Sequence, residues 1–249
     1  MDLITERWGT SGTPIVCVHG SLGAGVAAFG EQKPLGVNRR VVVPYRRGYG
    51  DNPPIAQVDI AHDAADVVEL LGEGAHLVGT SMGGVVSMIA AGARPDLVRS
   101  LTVIEPPAFA AARDIPEVRR IADAMKRHWA SADASDLVKF TEGFIAALEM
   151  KMALPTPLPA HLVRAMGNLV TERPWRVDVP VGAVADGAYP KLVVTGGWSP
   201  AFDAIGERLA VLFDAERHVL PGAGHGVQRL GKPFNDILEK FLSRAERTG

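Results

Sequence analysis

Apolar positions along the chain change period several times, and each change marks the border of a predicted element. Residues 13–18 and 40–43 are short β-branched runs without polar alternation, ending at His19-Gly20 and at the turn region 44–50. Runs of that kind predict strands buried on both faces. Ile60, Ala64, Val67, Val68 and Leu71 instead recur at helical spacing, with Asp59 placed as an N-cap and Gly72 and Gly74 closing the segment. Ala75, Leu77 and Val78 then predict a brief strand, and Val85, Val86, Met88, Ile89 and Ala90 a buried helix that Arg94-Pro95 stops. Further strands are expected at 100–104, 191–195 and 218–220, and Phe234, Ile237, Leu238, Phe241 and Leu242 form one face of a closing helix. Strand and helix alternating in this way predict an α/β fold: a mainly parallel sheet, helices on both faces, and ligands at the carboxyl ends of the strands.

Residues 106–188 break the rhythm, because they hold helical patterns without a strand. They read as an insertion into a core domain made of 1–105 and 189–249. Asp114-Ile115-Pro116-Glu117 has the form of an N-cap with an acidic N3 residue, followed by Val118, Ile121, Met125 and Trp129 on one face. Leu137, Phe140, Phe144, Ile145 and Leu148 define a second helix, and Leu162, Val163, Met166, Leu169 and Val170 a third after Pro159. These stripes are expected to pack on the core domain. An insertion over the carboxyl ends of the strands could also line a pocket there.

Composition narrows the classes. At 249 residues the chain can bury a sizeable core, and its 47% hydrophobic and 22% charged residues are those of an ordinary globular protein. A net charge of −2 shows no bias toward phosphate backbones, so nucleic acid is not an expected partner. The single cysteine, Cys17, lies in the apolar run Ile15-Val16-Cys17-Val18 and reads as a buried thiol. The start Met1-Asp2-Leu3-Ile4 has neither a basic segment nor an apolar h-region, and no apolar run approaches membrane-spanning length. A cytoplasmic location with no membrane partner is the expectation.

The candidate chemistry centres on Gly79-Thr80-Ser81-Met82-Gly83. Between a strand and a helix, G-x-S-x-G puts the serine on a strained turn with its hydroxyl exposed, and the flanking glycines let strand and helix approach closely. A serine hydroxyl needs a base, and the base needs a third group to orient it. His225, in the glycine-rich loop Pro221-Gly222-Ala223-Gly224-His225-Gly226, is the candidate base. His62, His76, His128, His161 and His218 fall inside predicted elements. Two amide donors for an oxyanion are expected from Met82, just after the serine, and from Ser21 in the loop His19-Gly20-Ser21-Leu22-Gly23. No His/Cys/Asp cluster has metal-ligand spacing, and neither G-x-G-x-x-G nor a P-loop occurs in a suitable place, so no cofactor or metal is expected.

Taken together, His19-Gly20, Arg47-Gly48-Tyr49-Gly50-Asp51, Gly79-Thr80-Ser81-Met82-Gly83-Gly84 and Gly222-Ala223-Gly224-His225 resemble the α/β-hydrolase fold family in order and spacing across nearly the whole chain. The resemblance implies an eight-stranded or slightly reduced sheet, a helical cap inserted after the strand ending at Glu105, and a structural role for residues 47–51. Members commonly carry their acid as Gly-x-x-Asp after the penultimate strand, where this chain has Gly196-Gly197-Trp198-Ser199. Other members place it after the strand that follows the nucleophile helix, which here ends in Glu105. Glu105 is therefore the expected acid, with Asp203 the alternative and Asp186 behind it. The function implied is a serine hydrolase cleaving a small, mostly apolar ester, thioester or lactone through an acyl-enzyme. The same residues could serve a carbon–carbon bond hydrolase or lyase, or the fold could survive as a catalytically silent small-molecule binding protein.

Overall fold

The computed structural model describes residues 3–248; Met1 and Asp2, at the start of the stretch read above for a targeting signal, lie outside it, as does Gly249. Strands β1 (Thr5–Trp8), β2 (Pro14–Val18), β3 (Arg40–Pro44), β4 (Ala75–Thr80), β5 (Val98–Ile104), β6 (Lys191–Thr195) and β7 (Glu216–Val219) form a 7-stranded sheet in the order β1-β3-β2-β4-β5-β6-β7. Only β1 runs antiparallel, pairing Thr5 with Pro44 and Trp8 with Val41 along β3. The other pairings are parallel, as the β-branched runs predict. The sheet thus has the slightly reduced form of the expected eight strands.

Side chains alternate across this sheet with period two, so its central strands feed two cores. Val16, Val18, Leu77, Val103 and Val193 join one apolar cluster, while Ile15, Cys17, Val78, Ile104 and Val194 join the other. Helices α2 (Ile60–Leu70), α3 (Met82–Ala93) and α8 (Pro200–Phe213) contribute to the first face. The second is covered by α1 (Val26–Phe29) and by Phe234, Leu238, Phe241 and Leu242 of α9 (Lys232–Thr248). Cys17 is fully buried, and burial pushes its thiol well above the ordinary range. Asp59 caps α2, its carboxylate accepting from the Ala61 and His62 amides.

Between β5 and β6 the chain forms α4 (Pro116–Ser131), α5 (Leu137–Ala147), α6 (Ala160–Thr171) and a short α7 (Val181–Asp186) that the apolar pattern did not predict. Val118, Ile121, Met125, Phe140, Phe144 and Leu169 of this segment belong to the same apolar cluster as α3 and α8. One expectation fails here. Asp114 does not cap α4; the cap position is Ile115, without a side-chain bond, and Asp114 instead pairs with Arg208 at 2.7 Å. Pro116 at the first helical position needs no amide partner, which relieves the demand for a capping oxygen.

Strand β2 has β3 on one side and β4 on the other, so the winding direction reverses between β2 and β4. A crevice outside the carboxyl ends of the strands is expected there. The segment that follows β2 and the turn that follows β4 are the two loops carrying Ser21 and Ser81.

Candidate active site

Ser81 sits between β4 and α3 with φ 52° and ψ −128°, a left-handed conformation that costs on the order of 1–3 kcal/mol for a residue with a side chain. The neighbouring glycines are required by contact. A Cβ on Gly79 would lie 2.3 Å from the Gly83 carbonyl oxygen, and one on Gly83 would lie 2.1 Å from the Val18 carbonyl oxygen. A Cβ on Gly20 would come 2.8 Å from the Cβ of Ser81. The loop after β2 therefore passes directly beside the serine.

The Ser81 hydroxyl lies 2.9 Å from Nε2 of His225, and Nδ1 of His225 lies 3.1 Å from Oε2 of Glu105. Glu105 follows the last residue of β5, also in the left-handed region at φ 50°, and is completely buried. A buried carboxylate has to be compensated by donors. Oε1 accepts the Gly196 amide at 2.6 Å, and Oε2 accepts the Trp198 indole N–H at 2.9 Å together with His225. An ionised carboxylate can only accept, so Nδ1 of His225 carries the proton and Nε2 is free to accept from Ser81.

The segment Gly196-Gly197-Trp198-Ser199 thus gives Glu105 two donors. Ser199, at the place where relatives of this fold often hold an acid, is the N-cap of α8, its hydroxyl accepting from the Phe202 amide at 3.5 Å. Trp198 and Phe202 also pack edge-on against the His225 ring, with centroids 5.8 and 4.9 Å away, which fixes its orientation. Asp203 lies in the first turn of α8 and is not brought to His225; one of its oxygens is buried with no hydrogen-bond partner among the described residues. Asp186 ends α7. A contact with no signal in the sequence joins the loops of Ser81 and His225: Thr80 donates to Gln228 at 3.2 Å, linking the turn before Ser81 to the chain just past His225.

Met82 opens α3, so its N–H has no carbonyl partner within the helix. Ser21 lies in the adjacent loop, its side chain donating to the buried carboxylate of Glu172. Ser21 and Ser81, the residue before Met82, line a cavity of about 590 Å³ at the carboxyl ends of the strands. Gly20, Ser81, Trp198 and His225 form its floor side, and Phe144, Leu148, Met150 and Met152 supply an apolar wall from the helical segment. Lys151 and Arg229 add two cationic side chains to the lining.

Three of the other histidines are engaged elsewhere. His76 is buried against Ser100 at 2.8 Å, and burial, the largest influence, pushes it down to about 4. His128 bonds the Phe140 carbonyl, and His218 pairs with Glu216. Among the described residues no group of three or more His, Cys, Asp or Glu side chains is placed to hold a metal ion, and no helix is long and apolar enough to cross a membrane.

A single fold carrying this turn, loop and histidine defines an α/β hydrolase. The chain belongs to the alpha/beta hydrolase family, whose profile matches residues 15–236. It is similar, at 30% identity over 270 aligned positions, to the dihydrolipoyllysine-residue acetyltransferase component of the acetoin cleaving system of Pseudomonas putida. That alignment covers 96% of this chain and 66% of the relative, so the chain spans just under two thirds of that protein. Among solved structures, a thermophilic esterase from Thermogutta terrifontis with malate bound superposes with a TM-score of 0.70 at 21% identity, covering 98% of this chain and 93% of the other. Est816, an N-acyl homoserine lactone degrading enzyme, does so with a TM-score of 0.65 at 23% identity, covering 96% of each chain. These two structures share the fold.

Proposed function

We propose that the protein is a serine hydrolase that cleaves a small, mostly apolar ester, thioester or lactone through an acyl-enzyme. The observation that carries this reading is the continuous hydrogen-bond relay from Ser81 through His225 to Glu105, opening into the cavity. In this scheme Nε2 of His225 removes the Ser81 proton as Oγ attacks the substrate carbonyl. The resulting imidazolium is stabilised by the buried carboxylate of Glu105, which is already held by Gly196 and Trp198. The amides of Met82 and Ser21 receive the oxyanion; each such donor is worth about 3–4 kcal/mol of transition-state stabilisation. His225 returns its proton to the leaving alcohol or thiol, and then activates a water that releases the acid.

The preference for an apolar acyl or alcohol group rests on Phe144, Leu148, Met150 and Met152 in the cavity wall. The likeness to an esterase and a lactone-degrading enzyme agrees with a carbonyl substrate of this class. The domain reading goes with it: residues 106–188 act as a helical cap over a core of 1–105 and 189–249.

The test pairs p-nitrophenyl esters of graded chain length with a fluorophosphonate probe, on wild type and Ser81→Ala. Wild type is expected to hydrolyse short and medium esters and to be labelled at Ser81, with both activities lower by about 10³-fold or more in the variant. Equal hydrolysis by the two proteins would overturn the mechanism. A folded wild type that takes no label would point to a binding protein.

A further inference from the structure

The relay just described leaves unused a second group of deeply buried charges, which lie against the Gly20–Ser21 peptide. Arg46, Asp63 and Glu172 have side chains exposed by only 1%, 2% and 0%. Arg46 follows β3, Asp63 lies in α2, and Glu172 follows α6, so three remote parts of the chain converge. Arg46 gives Nε to Asp63 at 2.8 Å, Nη2 to Glu172 at 3.1 Å and Nη1 to the Gly20 carbonyl at 3.2 Å. Glu172 also accepts the Tyr49 hydroxyl at 3.2 Å on Oε1, and the Ser21 hydroxyl on Oε2. A buried arrangement of one cation and two carboxylates contributes little net stability compared with apolar packing. What it does contribute is geometry.

The Gly20 carbonyl receives a second donor. Nε2 of His19 lies 3.0 Å from the Arg46 amide, which can only donate, so Nε2 is unprotonated and Nδ1 carries the hydrogen. That Nδ1–H points at the Gly20 carbonyl at 2.7 Å. The Gly20–Ser21 peptide is trans, since the one cis bond among the described residues is Thr156-Pro157. In a trans peptide the C=O and the following N–H point in opposite directions. Holding the Gly20 oxygen from one side with Arg46 and His19 therefore aims the Ser21 N–H to the other. Gly20 needs that restraint, having no side chain of its own to limit rotation.

We propose that Arg46 and Glu172 are positioning residues that set the Ser21 amide as an oxyanion donor, Arg46 through the Gly20 carbonyl and Glu172 through the Ser21 side chain. The inference rests on the serine-hydrolase reading above. It has two corollaries. The Ser21 hydroxyl hydrogen is committed to Glu172, so the backbone amide and not the hydroxyl serves the oxyanion. Because Glu172 comes from the helical segment, that segment shapes the catalytic loop as well as the cavity wall.

Glu172→Gln, Ser21→Ala and Ser21→Thr test the inference, with ester kinetics, affinity for an alkylboronic acid that forms a tetrahedral adduct on Ser81, and melting temperature as readouts. Losing an oxyanion donor outright costs about 10²–10³ in kcat, so misaiming one is expected to cost ~10-fold or more in Glu172→Gln and ~3-fold in Ser21→Ala. KM should stay at the wild-type value, boronate affinity should fall in step with kcat/KM, and Ser21→Thr should restore both. Folded variants that keep wild-type kcat and boronate affinity, or lose only KM, would overturn the inference even where melting temperature falls. If Glu172→Gln does not fold, Ser21→Ala decides, since it leaves Glu172 paired with Arg46 and Tyr49. Failure of the underlying reading is separately visible, because wild type would then take no fluorophosphonate at Ser81.

Discussion

Glu105 holds its position at the cost of a left-handed backbone, and its carboxylate is saturated by three donors from Gly196, Trp198 and His225. A glutamine there cannot accept at both ends: its amide nitrogen must face a donor or turn the imidazole to the wrong tautomer. Glu105→Gln is accordingly expected to lower kcat for ester hydrolysis by about 10²–10⁴-fold with the protein still folded. Asp203→Asn, at a residue with no hydrogen bond to the imidazole, should leave kcat within about 2-fold. Steady-state kinetics beside a melting curve for each variant check both, and the opposite ranking would transfer the acid's role to Asp203. Glu105 could be singled out in the sequence because Ser199 removes the more usual acid and a carboxylate directly follows β5. The donors that serve it could not, since they depend on the turn at Gly197, φ 63°, folding Gly196 and Trp198 back over β5. Glu172 was equally invisible: in Thr171-Glu172-Arg173-Pro174 it reads as a solvated turn residue, and only contacts with Arg46, Tyr49 and Ser21 make it buried.

At the scale of elements, legibility followed burial. Strands β2 to β6 are apolar runs enclosed on both faces, and the turn glycines bordering them are set by contact, so sequence pattern and structure coincide. The edge strand β1, Thr5-Glu6-Arg7-Trp8, has almost no apolar signal, because half of its surroundings is solvent and its place comes from pairing with β3. Strand β7 was expected at 218–220 and runs Glu216–Val219 for the same reason. Two glycines show how differently elements tolerate a methyl group. Gly79→Ala drives a Cβ to 2.3 Å from a backbone oxygen of α3 that cannot move without shifting the turn that carries Ser81. It should destabilise by about 3 kcal/mol and reduce labelling of Ser81. Gly167, inside α6, has nothing within 4 Å of its Cβ position and no positive φ, so Gly167→Ala should stabilise by about 0.5–1 kcal/mol. Urea unfolding of the two variants would contradict this account if both moved in the same direction.

The whole molecule closes over two neutral histidines, and its stability should carry their signature. His19 is pushed down to about 3 by burial first and the Arg46 charge second, and its neutral form is the one that accepts the Arg46 amide. His76, beneath α9, is pushed down to about 4 by burial and by Arg39 and Arg99, with Glu246 only partly opposing them. In the unfolded chain both imidazoles take up a proton near pH 6.5. Between that value and the folded-state values the unfolded chain holds more protons, so stability is complete above about pH 6.5 and falls as pH drops toward 3–4. Each group contributes a slope of about 1.4 kcal/mol per pH unit within that window, or ~2 kcal/mol between pH 6.5 and 5. Glu246, held down to about 2 by Arg39 against the opposing effect of burial, loses its contribution only at lower pH. A comparison confined to pH 5–7.5 therefore isolates the histidines. His76→Asn can still bond Ser100 but cannot titrate, so its urea midpoint should fall less steeply across that range than that of wild type, by ~2 kcal/mol in unfolding free energy. Parallel pH profiles for the two proteins would show that His76 does not take up the proton on unfolding, and that the acid sensitivity of the fold has another source.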